Sequence, residues 1–200
     1  MAIAIASDTR LEKVTRHVVL KGENEIMFDR YAGDNSTKLS WDQKIYLKPG
    51  TNVLALPAIN IISFLSAHNT NSAPKRLRDK RKYKDIANSC LSFVQVLGGS
   101  YIPFLRDGKP IEVGAFTDDV DTKSGLYLHR AVARLDKGIP NPKERPVLPL
   151  EWSLAFDVAI LANKEIKEQE IKNLFVEGGA AIGLGTFRGV YGKFSVDVWE

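Results

Sequence analysis

The stretch Trp152-Ser-Leu-Ala-Phe-Asp-Val-Ala-Ile160 sets its large apolar side chains on the even positions: Trp152, Leu154, Phe156, Val158 and Ile160. Ser153, Ala155, Asp157 and Ala159 fill the gaps. A period of two is that of a β-strand, whose successive side chains point to opposite faces, so one face is buried and the other is small or polar. Asn163-Lys164 turns the chain. Residues 166–177 switch to a helical period, with Ile171, Leu174 and Phe175 facing inward. Glu168 and Glu170 lie near the positive N-terminal end of that helix, and Gly178 is placed to cap the other end. Phe194, Val196 and Val198 then alternate with Lys193, Ser195 and Asp197, which predicts a closing strand. Strand, helix, glycine loop and strand form a β-α-β unit with a right-handed crossover.

Working outward, Val14–Lys21 is rich in β-branched residues and predicts a strand in one antiparallel sheet with the last 50 residues. An extended piece is expected over Ile26–Tyr31, a loop over 32–43 and a turn at Lys48–Asn52. Leu56–Leu65 predicts a buried helix with Pro57 in its first turn, where a missing N–H costs nothing. Residues 69–74 break it. Residues 89–97 favour a strand by alternation, although Ile86, Cys90, Phe93 and Leu97 also fit a helical face. Residues 98–150 hold 6 of the 9 prolines and 6 of the 15 glycines and predict an insertion on one face of a single domain. Inside it, Asp107-Gly108 predicts a hairpin between 100–105 and 109–115. Another strand is expected near 125–134, and Gly138–Pro146 reads as a rigid connector. Long irregular segments of this kind are usually functional, so contact with a neighbouring subunit or RNA is expected there. The fold class is α+β.

Two hundred residues can enclose a core without disulfides or metals. The single Cys90 excludes a disulfide scaffold and suits a reducing cytosol, so a cytoplasmic protein is expected. Met1-Ala-Ile-Ala-Ile-Ala6 lacks a basic n-region and makes a poor signal peptide. The longest apolar stretch, Val53–Ala67, falls short of the ~20 residues of a membrane span. Charge is more telling. The net +4 comes from 28 basic and 24 acidic residues. Residues 75–84 alone carry 7 basic residues and one acid, +6, which leaves 21 basic and 23 acidic, −2, for the rest. Such a block points to a polyanion, against the alternative of a merely solvated surface. Lys75, Arg76, Arg78, Arg81, Lys82 and Lys84 are the expected phosphate contacts, with Tyr83 able to stack on a base.

Six of the 15 glycines lie in the last 23 residues. In a dinucleotide fingerprint, Gly183 and Gly185 would fit but Arg188 stands where the third glycine is needed, and the loop follows a helix instead of opening one. In a Walker A loop, Gly192-Lys193 would need Ser or Thr next and has Phe194. Tight helix-to-strand packing is the plain alternative role. The segment Gly178-Gly-Ala-Ala-Ile-Gly-Leu-Gly-Thr-Phe-Arg-Gly-Val-Tyr-Gly-Lys-Phe194 resembles the glycine-rich signature of the repeat-associated mysterious proteins, the RAMP superfamily of CRISPR effectors. Gly183, Gly185, Arg188, Gly192 and Phe194 occupy its Gly-x-Gly-x-x-Arg and Gly-x-Phe places. Leu56–Leu65 is a weaker echo of the family's proline-started helix, without its serine-rich, basic start. The strong resemblance covers the last 50 residues or so. It implies a ferredoxin-like, RRM-type β-α-β-β-α-β core with a hairpin-rich thumb or web insertion. It also implies binding of a guide-like single-stranded RNA, and side-by-side assembly with copies of itself or other CRISPR effector subunits. Gly183, Gly185 and Arg188 are RNA-binding candidates on that ground. Phe187 is a stacking candidate too, although the favourable burial of aromatics argues for the core.

Catalytic signals are thin, and no cofactor motif is present. His17, His68 and His129 share no metal-ligand spacing, and a structural or surface role suits each better. His17 sits beside Arg16 in the first strand and could face RNA. Asp29/Asp34 and Asp118-Asp119/Asp121 could in principle hold magnesium. Some target-cleaving relatives use one Asp in the loop after the first strand, which makes Asp34 the weak catalytic candidate. Asp118–Asp121 suits a solvated turn. Three functions remain open: a non-catalytic RNA-binding subunit, a metal-dependent endoribonuclease on the same fold, and a virus-encoded mimic that docks on a CRISPR complex.

Overall fold

The computed structural model describes residues 12–34, 36–66, 83–134 and 140–200. The described elements are β1 (Lys13–Gly22), β2 (Ile26–Met27), a 3-10 turn at Trp41–Lys44, β3 (Ala55–Pro57), α1 (Ala58–Ser66), α2 (Tyr83–Phe93), β4 (Val94–Leu97), β5 (Tyr101–Arg106) and β6 (Lys109–Pro110). They continue with β7 (Phe116–Thr117), β8 (Val120–Asp121), β9 (Tyr127–Arg134), β10 (Pro140–Leu148), β11 (Ser153–Leu161), α3 (Glu168–Ala181) and β12 (Phe194–Trp199). The chain is thus α+β. One sheet runs β12-β1-β11-β5-β3, with β4 also paired to β11 and β6 to β5; the second runs β2-β10-β9-β8-β7.

β1 lies between β11 and β12 and is antiparallel to both, so β11 and β12 run parallel with β1 between them and α3 connecting them. The strand-helix-strand pattern read at 152–198 is present, in one sheet with residues 14–21. Val18 stands opposite Phe156 and Leu20 opposite Leu154, and all four are buried. That parity faces the helices. Phe64 of α1 meets Phe175 of α3 at 5.9 Å and Phe194 of β12 at 5.6 Å between ring centres. Each such fully buried side chain contributes up to about 3 kcal/mol. Arg16 on β1 grips Glu168 of α3 through Nε (2.6 Å) and Nη2 (3.1 Å), and the Trp199 indole N–H donates to the same carboxylate at 3.0 Å. The Arg16 and Trp199 hydrogen bonds hold the Glu168 carboxyl below its ordinary pKa.

Four expectations change, the first being that Gly178 does not cap α3, which runs on to Ala181 with Ile182 at its end. Residues 89–97 are not one strand: α2 continues to Phe93 because Ala87 and Cys90, on one helical face, are buried as α2 packs on α1. The strand starts at Val94, where the edge of β11 offers pairing from Asp157 to Ile160. Gly138–Pro146 is no connector from Pro140 onward, because β10 is a strand paired to β9. Its prolines tolerate this through parity. The Pro146 carbonyl accepts from Phe28 N–H (2.9 Å) on the side away from β9, and Pro140 and Pro142 share that side, so none of their missing N–H groups belongs to the β9 ladder. Pro57 closes β3, and α1 begins one residue later.

The region 98–150 divides between the sheets. β5 pairs with β11 and β3 in the first sheet, while β7–β10 build the second. Asp107 and Gly108 have φ of 51° and 72°, the left-handed pair of a type I′ turn, so the β5-β6 hairpin forms, though β6 spans only two residues. Asp118 and Asp119 make the same kind of turn between β7 and β8, with φ of 50° and 64°. Trp152 joins the two halves. Its Nε1–H donates to the Asn24 carbonyl at 2.8 Å, and its ring packs on Phe104, which packs edge-on against Phe28. Gly22 leaves the Trp152 ring the room a Cβ would take.

Asp121 organises the second sheet's turn. Its buried carboxylate accepts from the N–H groups of Gly114 (3.1 Å), Lys123 (3.0 Å) and Ser124 (3.1 Å) and from the Ser124 hydroxyl. Burial pushes its pKa up, but these four donors outweigh that and leave it lowered. A lowered carboxyl stabilises the fold fully above its unfolded pKa of about 3.9, and the contribution fades as pH falls through the lower folded value. Asp121→Asn is expected to cost about 1–3 kcal/mol at pH 7, by turning an amide N–H₂ toward donors. In urea denaturation the gap from wild type should narrow below pH 4. A gap constant down to pH 2.5 would show that the charge contributes nothing.

Candidate nucleic-acid interface

The glycine-rich connection between α3 and β12 is a packed loop that seats on residues 24–27. Leu184 N–H donates to the Gly192 carbonyl (2.9 Å), Gly192 N–H to Glu25 (2.7 Å) and Thr186 N–H to Met27 (2.9 Å). The Asn24 side chain clamps the loop from below, donating to the Val190 carbonyl at 2.6 Å and accepting from Lys193 N–H at 2.8 Å. A Cβ on Gly183 would stand 2.5 Å from the Gly192 carbonyl oxygen, and one on Gly185 2.5 Å from that of Met27. Both expected RNA contacts therefore also have a packing role. Arg188 curls back, its Nε–H donating to the Gly185 carbonyl at 3.2 Å, and burial draws its guanidinium pKa down.

Phe187 is not in the core. It is 61% exposed, at a left-handed φ of 53°, with its ring 6.1 Å from that of Tyr191. Beneath the loop, Gly185 and Thr186 face Asp29, Tyr46 and Asn60 of α1 across a cavity of about 140 Å³. Burial raises the Tyr46 pKa, so its hydroxyl remains a donor at neutral pH. Asp29 is held by Arg145 (2.7 Å) and Lys44 (3.7 Å). The same Asp29 borders an open hollow of about 550 Å³, with Arg30, Lys38 and Lys143 on its walls.

The other expected residues lie elsewhere. His17 stands opposite Asp157 on the helix-free face of the first sheet, Nδ1 and Oδ1 2.7 Å apart, both about half exposed. Asp34 also lines the open hollow, but both its oxygens are engaged in its own turn. Ser36 donates from N (2.7 Å) and Oγ (2.6 Å), and Thr37 from N (2.6 Å) and Oγ1 (2.7 Å). Those bonds hold its carboxyl far below its ordinary range. Tyr83 and Lys84 open α2. Lys75, Arg76, Arg78, Arg81 and Lys82 lie outside the described residues. Sequence reasoning gave Tyr191, Asn60, Thr186 and Tyr46 no site role. Tyr191 meets Phe187 through a non-helical loop, and the other three meet only through the fold, so none carried a signal in sequence.

The chain is α+β, with two antiparallel sheets and a glycine-rich loop leading into β12 of the first. No family model and no curated protein matches it. Among solved structures it is similar to a chain of the cryo-EM structure of the type III-B Cmr-beta bound to cognate target RNA, at 12% identity and a TM-score of 0.51. The alignment covers 92% of this chain and 60% of that one, so this chain spans less than two thirds of its neighbour's length. At that identity the likeness is one of fold. No helix among the described residues is long and apolar enough to cross a membrane.

Proposed function

We propose that this chain is an RNA-binding, self-assembling subunit resembling the guide-RNA-binding backbone proteins of CRISPR effector complexes. The observation that carries the reading is that nearly the whole chain, both sheets included, aligns with a chain from an RNA-bound type III-B assembly. The strand order β12-β1-β11-β4, with α1 and α2 between β1 and β4 and α3 between β11 and β12, supports reading the first sheet as a ferredoxin-like, RRM-type core. In this reading residues 1–200 are a single RAMP-like domain, and 98–150 carry the thumb- or web-like insertion. Residues 75–84 and the glycine loop face a guide-like single strand, and the partners are RNA, further copies and other effector subunits.

The test is the full chain purified natively, with its absorbance ratio and particle mass read before and after ribonuclease. Copurified RNA, lost together with the larger particle on digestion, is the expected result. A nucleic-acid-free monomer that also ignores added single-stranded RNA would overturn the proposal.

A further inference from the structure

Phe187 combines two unfavourable features in one residue. A non-glycine residue at φ of 53° is strained, and a large apolar ring left 61% exposed gains little from burial. The loop nevertheless fixes it. Val190 N–H and Tyr191 N–H both donate to the Phe187 carbonyl at 3.3 Å, and Gly189 N–H donates to Ile182 at 2.6 Å. The Phe187 ring lies 33° from parallel to that of Tyr191 at 6.1 Å, and Tyr191 meets the imidazole of His129 on β9 at 5.9 Å. Two rings of the glycine loop and one of the second sheet thus touch in succession. On the same face of the β9-β10 ribbon, Arg145 stands directly opposite His129, and Lys143 lies opposite Ala131, one step further along.

The geometry points to a stacking platform for unpaired bases: Phe187 offers its exposed face to a base, Tyr191 backs it, His129 meets Tyr191 in turn, and the strand's phosphates run on toward Lys143, Arg145 being paired with Asp29. The inference rests on the RNA reading above and adds a contact of a different chemical kind. An exposed ring offers a π-face that any base can use, and the Lys143 ammonium that follows suits a phosphate backbone better than an apolar protein surface. A row of this kind predicts binding through the bases, with little sequence preference and no change in salt dependence when a ring is removed.

The experiment compares the full chain with Phe187→Gly, which removes the ring while suiting the positive φ, and Phe187→Trp, which keeps a ring. The probes are a single-stranded oligouridine and the same backbone with abasic positions. Oligouridine should bind Phe187→Gly about ten-fold more weakly than wild type, the scale of one lost base stack. The slope against salt should be unchanged, and Phe187→Trp should restore affinity. Wild type should bind the abasic strand as weakly as Phe187→Gly binds the intact one. Equal wild-type affinity for intact and abasic strands, or an unaltered Phe187→Gly, would overturn the platform and leave the RNA reading standing. No binding of either strand by wild type would overturn both.

Discussion

Replacing Lys75, Arg76, Arg78, Arg81 and Lys82 together with Ser is expected to lower affinity for generic single-stranded RNA by about 10²-fold or more near 0.1 M salt. Each phosphate neutralised on a single strand contributes about 0.7 to the slope of log affinity against log salt, so four contacts give a slope near −3. Removing them should flatten the slope by two units or more. The substitution also moves the net charge from +4 to −1, since +4 − 5 = −1, so the long-range attraction that steers a polyanion toward the chain changes sign. Seven cations in ten residues repel one another by fractions of a kcal/mol per pair, and relieving that repulsion should leave thermal stability little changed. Titration at four salt concentrations reads both quantities. If affinity and slope stay as they were, the segment is a solvated surface and the charge argument for RNA fails. This response differs from that of the ring row, where affinity falls and the slope holds, so the two contributions separate in one data set.

The β1, β11 and β12 strands of the first sheet were legible because they alternate about one buried face. Val18 and Leu20, and Leu154, Phe156 and Val158, fall on the helix side as their parity requires. The second sheet was harder to read because its strands are short or carry proline. β7 and β8 have two residues each, and β10 begins Pro-Asn-Pro. Only the pairing with β9, which fixes which backbone N–H groups the ladder uses, shows why those prolines fit. Residues 89–97 carried both periods at once, and tertiary pairing with β11 decided where helix gave way to strand. At the candidate site, the glycine loop was visible as composition, but its seat on residues 24–27 was not, since it depends on contacts more than 150 positions apart. The same limit hid the link from Tyr191 to His129.

Gly185 shows how far packing alone accounts for a residue that the sequence offers as an RNA contact. Gly185→Ala is expected to cost about 3 kcal/mol and to lower the thermal midpoint by roughly 10 °C. Two terms add. The residue sits at φ of 77°, which an L side chain adopts only with strain, and its Cβ would stand 2.5 Å from the Met27 carbonyl oxygen and 2.9 Å from the Ile26 side chain. The Met27 carbonyl cannot retreat freely, because it accepts from Thr186 N–H at 2.9 Å, the bond that docks the loop. Gly189→Ala isolates the first term. At φ of 91° a Cβ there meets nothing within 4 Å, so only the backbone cost of about 1 kcal/mol remains. Urea denaturation of both variants should therefore rank Gly185→Ala well below Gly189→Ala. If Gly185 is glycine chiefly to let an RNA backbone approach, the difference in stability vanishes: Gly185→Ala matches Gly189→Ala, and the loss appears as weaker RNA binding by a fully folded chain.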